Sequence, residues 1–259
     1  MAMIPRATVT LRFYEELNDF LVPQRRRRDI ERPIFLGPAV KDVIEAEGVP
    51  HTEVDLILVN GESVGFGHRL AAGDRVAVYP LFEGLDISSV QRLRPRPLRE
   101  PRFVLDVHLG TLARRLRLLG FDCVYASHCD DGELVAIARR QGRIVLTRDV
   151  GLLKQGGVSH GYWLRCRDPA GQVAEVMARF DLAGAARPFT RCMVCNGLLE
   201  RVERPAAAGH VPPDVLERFA SFLHCPGCGR FYWEGSHHAA LARWTRRILD
   251  AATADPPVS

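Results

Sequence analysis

Two aspartates that close apolar runs, a third that opens a helical stretch between them, and two cysteine pairs are the residues of this chain whose types and spacing bear on chemistry. Asp106 closes Phe103-Val104-Leu105, and Asp149 closes Ile144-Val145-Leu146-Thr147-Arg148. Between them, Asp131 opens a helical stretch from Gly132 to Arg140, with Asp130 and Glu133 near enough in sequence to join it. If the apolar runs are strands of a parallel sheet, their ends converge on the edge where such sheets bind ligands. Carboxylates gathered there repel one another, and a hard divalent cation such as Mg²⁺ or Mn²⁺ offsets that repulsion. Held by carboxylates, such an ion serves phosphate chemistry, because it neutralises oxygen charge and acidifies water. The same acids also suit helix capping: Asp131 and Asp149 each stand just before a helical stretch, where an acid accepts from free backbone N–H groups. Asp106 fits capping less well, since His108-Leu109-Gly110 intervenes before the next helix.

Of the seven cysteines, four form two C-x-x-C pairs, Cys192/Cys195 and Cys225/Cys228, with 29 residues between them. A C-x-x-C turn brings two thiolates to adjacent vertices of a tetrahedron, and a second pair completes it. This predicts a structural Zn²⁺ site, closed to water and therefore not catalytic. Cys123, Cys129 and Cys166 are expected as small buried apolar residues. Tyr232 and Trp233 beside Arg230 are suited to stacking bases, and more readily to packing a small ribbon with little other core.

Charge is uneven: −4 over residues 1–90 and +8 over 91–259, within a total of +4. The second part is the candidate polyanion binder; a solvated arginine-rich surface is the competing reading. Arg114 and Arg117, following on the first helix of that part, are candidate phosphate contacts through their planar forks. No apolar run reaches the roughly 18 residues of a membrane span, and the first residues lack the apolar core of a signal peptide. The expected setting is cytoplasmic, with no membrane partner.

The elements that must position these residues fall into three groups. Residues 7–80 read as a small α+β unit: an alternating strand Ala7–Phe13, a helix Val40–Ala46 stopped at Gly48, a strand Val54–Val59 leading into an Asn60-Gly61 turn, and a strand Arg75–Tyr79 after Gly73-Asp74. Arg92 to Pro101, rich in Arg and Pro, reads as a linker. Residues 102–182 alternate strand and helix, which implies a parallel sheet with covered faces. Leu109, Leu112, Leu116 and Leu119 form the apolar stripe of its first helix. The knuckle region carries an expected helix from Val215 to Phe222.

The stretch Val54-Asp55-Leu56-Ile57-Leu58-Val59-Asn60-Gly61, with Leu70 and Gly73 to Pro80, resembles the ubiquitin-like sulfur carriers ThiS and MoaD. Those carriers act through a terminal Gly-Gly. Here Leu81-Phe82-Glu83-Gly84-Leu85 follows instead, so the domain reads as a non-catalytic module that recruits a protein partner. Phe103 to Asp106, Leu109 to Arg114, Leu116 to Asp122, Asp131 to Leu134, Ala138 and Gly142 to Asp149 together resemble the Mut-seven C-terminal RNase family, a branch of the PIN-like nucleases; the likeness extends over the cysteine pairs to about residue 245. That resemblance implies a metal-dependent ribonuclease. It implies that Asp106, Asp131 and Asp149 hold Mg²⁺ or Mn²⁺, that Thr147 orients Asp149, and that Asp130 and Glu133 support the site. Arg115 stands where this family commonly has an aromatic, and His108 where an apolar residue is expected.

The expected fold class is therefore α/β: an N-terminal ubiquitin-like (β-grasp) α+β domain at 1–85, a linker at 86–101, a PIN-like parallel-sheet nuclease domain at 102–185, a zinc ribbon at 186–250 and a disordered tail at 251–259. The expected function is RNA phosphodiester hydrolysis, endonucleolytic in mode. The alternative is a catalytically inactive RNA-binding adaptor in which the acids are helix caps. A sulfur-transfer accessory role is disfavoured by the missing Gly-Gly end.

Overall fold

The first residues with regular structure already alternate as a half-buried strand must: in β1 (Ala7–Phe13), Val9, Leu11 and Phe13 are buried. The computed structural model describes residues 7–35, 37–80, 93 and 101–253. The segment Leu81–Leu85, most of the expected linker and the end of the expected tail lie outside them. β2 (Ile30–Ile34), α1 (Val40–Ala46), β3 (Leu56–Val59), β4 (Glu62–Ser63) and β5 (Arg75–Tyr79) follow β1. The strands form one mixed sheet in the order β2-β1-β5-β3-β4, with β1 and β5 parallel and the other pairs antiparallel. One helix against a mixed sheet with its first and last long strands parallel at the centre is the β-grasp arrangement.

Its core joins Val9, Leu11 and Phe13 to Ile57, Val76 and Val78 and to Val40, Val43 and Ile44 of α1. Each such side chain contributes roughly 1.5–3 kcal/mol of burial. Asn60 and Gly61 have φ of 53° and 89°, the paired positive values of a type I′ hairpin. Arg25 and Arg32 both pair with the fully buried Glu47 carboxylate.

The chain continues through β6 (Phe103–Leu105), α2 (Gly110–Leu118), β7 (Cys123–Tyr125), α3 (Asp131–Gln141), β8 (Ile144–Thr147), α4 (Val150–Leu153), β9 (Gly161–Trp163) and α5 (Pro169–Arg179). β6 pairs in parallel with β7 on one side and β8 on the other, with Leu105 opposite Tyr125 and Leu146. This is the alternating parallel arrangement expected from the sequence. The stripe Leu109, Leu112, Leu116 and Leu119 is buried, and the Phe103 ring meets that of Phe180 at 5.5 Å.

The third group comprises β10 (Glu200–Glu203), α6 (Arg204–Ala207), α7 (Pro213–Arg218), β11 (Ser221–His224), β12 (Phe231–Tyr232) and α8 (Ser236–Thr253). The strands make an antiparallel ribbon in the order β10-β11-β12. Two expectations are corrected here. The helix expected over Val215–Phe222 ends at Arg218, because Phe222 sits opposite Val202 in the ribbon and is buried beside Ala207 and Val211. The first three residues of the expected tail, Ala251 to Thr253, complete the 18-residue helix α8, which sequence periodicity did not reveal. Trp233 and Phe231 pack against the ribbon core, in keeping with the packing role preferred for the aromatics there.

The described chain divides into two compact units, one of residues 1–100 with 147–163, the other of 101–146 with 164–259. None of the helices among the described residues is long and apolar enough to cross a membrane.

Candidate active site and metal centre

Asp106 follows the last paired residue of β6, and its N–H donates to Leu146 O at 3.1 Å, which continues the ladder one step beyond the strand. It is half-buried, at the carboxyl end of the sheet. The Val107–Leu109 turn leads from it into α2. Gly110 begins that helix under Tyr125, whose hydroxyl donates to Val107 O at 2.9 Å. A Cβ on Gly110 would stand 2.7 Å from that hydroxyl oxygen, so any larger residue there must displace the Tyr125 ring.

At the start of α3 the capping role falls on Asp130, not on Asp131. Asp130 Oδ1 accepts from Glu133 N at 2.8 Å, while Asp131 and Glu133 are exposed first-turn acids. Asp149 is also a cap. Its Oδ1 accepts from Gly151 N at 2.7 Å at the head of α4, and its own N–H donates to Thr147 Oγ1 at 2.9 Å. Thr147 is fully buried and thus fixes the Asp149 backbone. By donor chemistry, Asp106, Asp131 and Asp149 are hard oxygen ligands of the kind Mg²⁺ and Mn²⁺ take. Among the described residues, however, the cysteines are the group of three or more His, Cys, Asp or Glu whose ligand atoms lie within 4.8 Å of one another.

That group is Cys192, Cys195, Cys225 and Cys228. The Sγ atoms of Cys192 and Cys228 are 3.6 Å apart, and those of Cys195 and Cys225 are 3.3 Å apart. A Zn–S bond of about 2.3 Å in a tetrahedron sets sulfur atoms just under about 4 Å apart, so the four thiols fit a closed zinc centre. The two knuckles are built alike. Asn196 N donates to Cys192 O and Gly229 N to Cys225 O, and Asn196 and Gly229 both have φ near 70°, at 72° and 71°. Burial raises the Cys192 thiol, but hydrogen bonds from the Tyr232 hydroxyl and from the Cys195 and Val194 backbone outweigh it and bring the thiol down to about 6. Burial and the neighbouring Cys195 push Cys225 up to about 12. A cation among the four would favour thiolate throughout.

Arg117 is corrected from a phosphate contact to a structural tie. It is 3% exposed. Its Nε donates to Cys123 O at 2.9 Å, and its Nη1 donates to Val194 O at 2.7 Å and Met193 O at 3.2 Å within the first knuckle. Arg114 is exposed on α2 and stays available to an anion. Arg115, at the position where an aromatic was expected, places its guanidinium 5.5 Å over the Trp244 ring of α8; that helix was not anticipated, so this contact could not have been read from sequence. Of the three remaining cysteines only Cys123 is buried, with its thiol raised by burial. Cys129 is half-buried and Cys166 is exposed, against expectation. A hub missed in the sequence is Asp122. It takes Arg143 Nη1 at 2.8 Å and Asn196 Nδ2 at 2.7 Å, with Arg191 at 4.0 Å. Burial opposes its charge, but Arg143, Asn196 and Arg191 prevail and hold the carboxyl below its ordinary range. A cavity of about 440 Å³ lies on the ribbon, walled by Phe189, Phe222, Trp233 and Leu241 with Arg191 and Arg201.

The model of the Mut7-C RNAse domain matches residues 101–245, and that of the Mut7-C ubiquitin matches residues 6–86. The human (Homo sapiens) exonuclease mut-7 homolog is 25% identical over 234 residues, covering 60% of this chain and 27% of that protein. The chain thus spans about a quarter of that relative's length. Two crystal structures of small archaeal modifier protein 1, SAMP1, from Haloferax volcanii are 19% and 20% identical; they cover 30% and 29% of this chain and 99% and 97% of their own, with TM-scores of 0.25 and 0.23.

Proposed function

Since the chain belongs to the Mut7-C RNAse domain family, a family of nucleases, we propose that it is a divalent-metal-dependent ribonuclease that cuts RNA internally. The observation that carries this reading is that, within the matched region, Asp106 directly follows parallel strand β6 and Asp131 opens α3, the helix that follows β7; the carboxyl edge of such a sheet is where ligands bind. Asp106, Asp131 and Asp149 would hold Mg²⁺ or Mn²⁺. Bound there, the ion supplies charge neutralisation at the phosphodiester and a more acidic water. The chain's own contributions are positional. Thr147 fixes the Asp149 backbone, Glu133 adds negative charge beside Asp131, and Asp130 caps α3 so that Asp131 stays at its exposed head. Arg114 offers an exposed guanidinium for a phosphate. The cysteine centre holds structural Zn²⁺, and the cavity beside it has the aromatic and basic walls that suit single-stranded RNA.

A second reading is favoured by one observation: Asp149 and Asp130 both cap helices, as they would in an inactive RNA-binding adaptor. End-labelled linear RNA and covalently circular RNA separate the possibilities. The ribonuclease linearises the circle with Mn²⁺ and stops with EDTA. Degradation of the linear RNA with the circle untouched would replace internal cutting by the exonucleolytic mode that the human relative's name carries. Both RNAs intact but retained on the protein would favour the adaptor.

A further inference from the structure

The segment that leaves β8 with Asp149 is held by the β-grasp domain. Trp163, at the end of β9, is the junction. Its backbone N–H donates to Glu53 Oε1, and Glu53 is 1% exposed, a buried carboxylate just ahead of β3. Its ring lies 5.1 Å from that of Phe20. Its indole Nε1–H donates to Arg148 O at 3.1 Å, the carbonyl of the peptide that joins Arg148 to Asp149. Two further bonds fasten the same segment: His51 Nε2 lies 2.8 Å from Val158 O, and Lys154 Nζ donates to Glu45 O at 3.1 Å. Gly161 lets Leu153 of the same segment pack close, since a Cβ there would come 2.5 Å from Leu153 Cδ2, whereas Thr52 would stand at an ordinary 3.5 Å. Residues 147–163 accordingly fall in one compact unit with the β-grasp domain.

We propose that Trp163 is a positioning residue, through which Glu53 and Phe20 of the ubiquitin-like domain fix the Arg148–Asp149 backbone and so set the Asp149 carboxylate for its metal. The proposal rests on Asp149 being a metal ligand. It gives the ubiquitin-like domain a partner within the same compact unit, the segment of residues 147–163. The physical basis is preorganisation: a ligand on a tethered backbone binds without first losing the freedom of a loop.

Trp163→Phe tests this, because it retains a smaller ring against Phe20 and the backbone N–H to Glu53 and removes the indole donor. Mn²⁺ affinity of the full chain, followed by electron paramagnetic resonance, should fall about tenfold. Amide exchange over 149–158 should accelerate while that of β1 and β5 stays unchanged. Glu53→Gln, which keeps a carbonyl acceptor, should stay near wild type, and Glu53→Ala should follow Trp163→Phe. Wild-type Mn²⁺ affinity in Trp163→Phe, with Asp149→Asn reducing it, overturns the positioning role and leaves the metal reading intact. Wild-type affinity in Asp149→Asn overturns the metal reading and the proposal with it. Faster exchange without loss of Mn²⁺ affinity makes Trp163 a structural residue only.

Discussion

Asp122 draws three cationic or amide side chains to one carboxylate, and two of them, Asn196 and Arg191, belong to the first knuckle region. Its lowered pKa gives the link to pH a definite sign. The unfolded chain takes up a proton near pH 4 while the folded chain resists it, so the stabilisation is present above about pH 4 and is lost as pH falls through the folded value. Urea midpoints of the wild type should drop over that acid range, and those of Asp122→Asn should start lower and change less; parallel curves would remove Asp122 as the hub. Arg117→Ala should cost roughly 2–3 kcal/mol, since it strips a charged donor from three carbonyls. Arg114→Ala should leave stability within about 0.5 kcal/mol and weaken RNA binding with a shallower salt dependence. The acids and cysteines were legible as types at spacings. What was not legible was which neighbour does which task. Asp130 and Asp131 are neighbours that spacing alone does not separate, and the cap bond from Glu133 N assigns the capping role to Asp130. Arg117 looked like a surface arginine because its acceptors lie 76 and 77 residues away.

The parallel strands and first two helices were the most legible elements, the strands as short apolar runs and the helices because each carries its own period and stops at a glycine. Gly120 and Gly142 both have positive φ, at 95° and 60°, as left-handed helix ends require. The ribbon was the least legible. Phe222 read as a helix end, but it pairs with Val202, and Leu223 after it with Tyr232, as strand. The same element carries a prediction about metal. The four-thiolate centre should bind Co²⁺ with intense thiolate charge-transfer absorption, and chelation should lower the melting temperature and expose the ribbon aromatics. Cys192→Ser should do the same without chelator. A chelated protein that melts as the metal-loaded one does would show the centre to be dispensable.

At the scale of the molecule, the sequence divides by charge and composition, while the structure groups by contact. Residues 147–163 read as a continuation of the alternating strands and helices, yet Lys154, Val158 and Trp163 bond to Glu45, His51 and Glu53, each more than 100 residues away. No local pattern encodes such pairings. The basic charge of residues 91–259 leads to a global expectation: RNA binding should weaken steeply with salt, and residues 91–259 should dominate the slope. On the proposed reading, the strand-end acids form the metal-dependent centre of a ribonuclease. The most direct measurement is the rate of RNA cleavage across a Mn²⁺ titration for the wild type, Asp106→Asn and Asp149→Asn, each checked for an unchanged melting profile. The expected result is loss of about 100-fold or more in rate at low Mn²⁺ in both variants; cleavage by both at the wild-type rate throughout the titration would contradict the assignment.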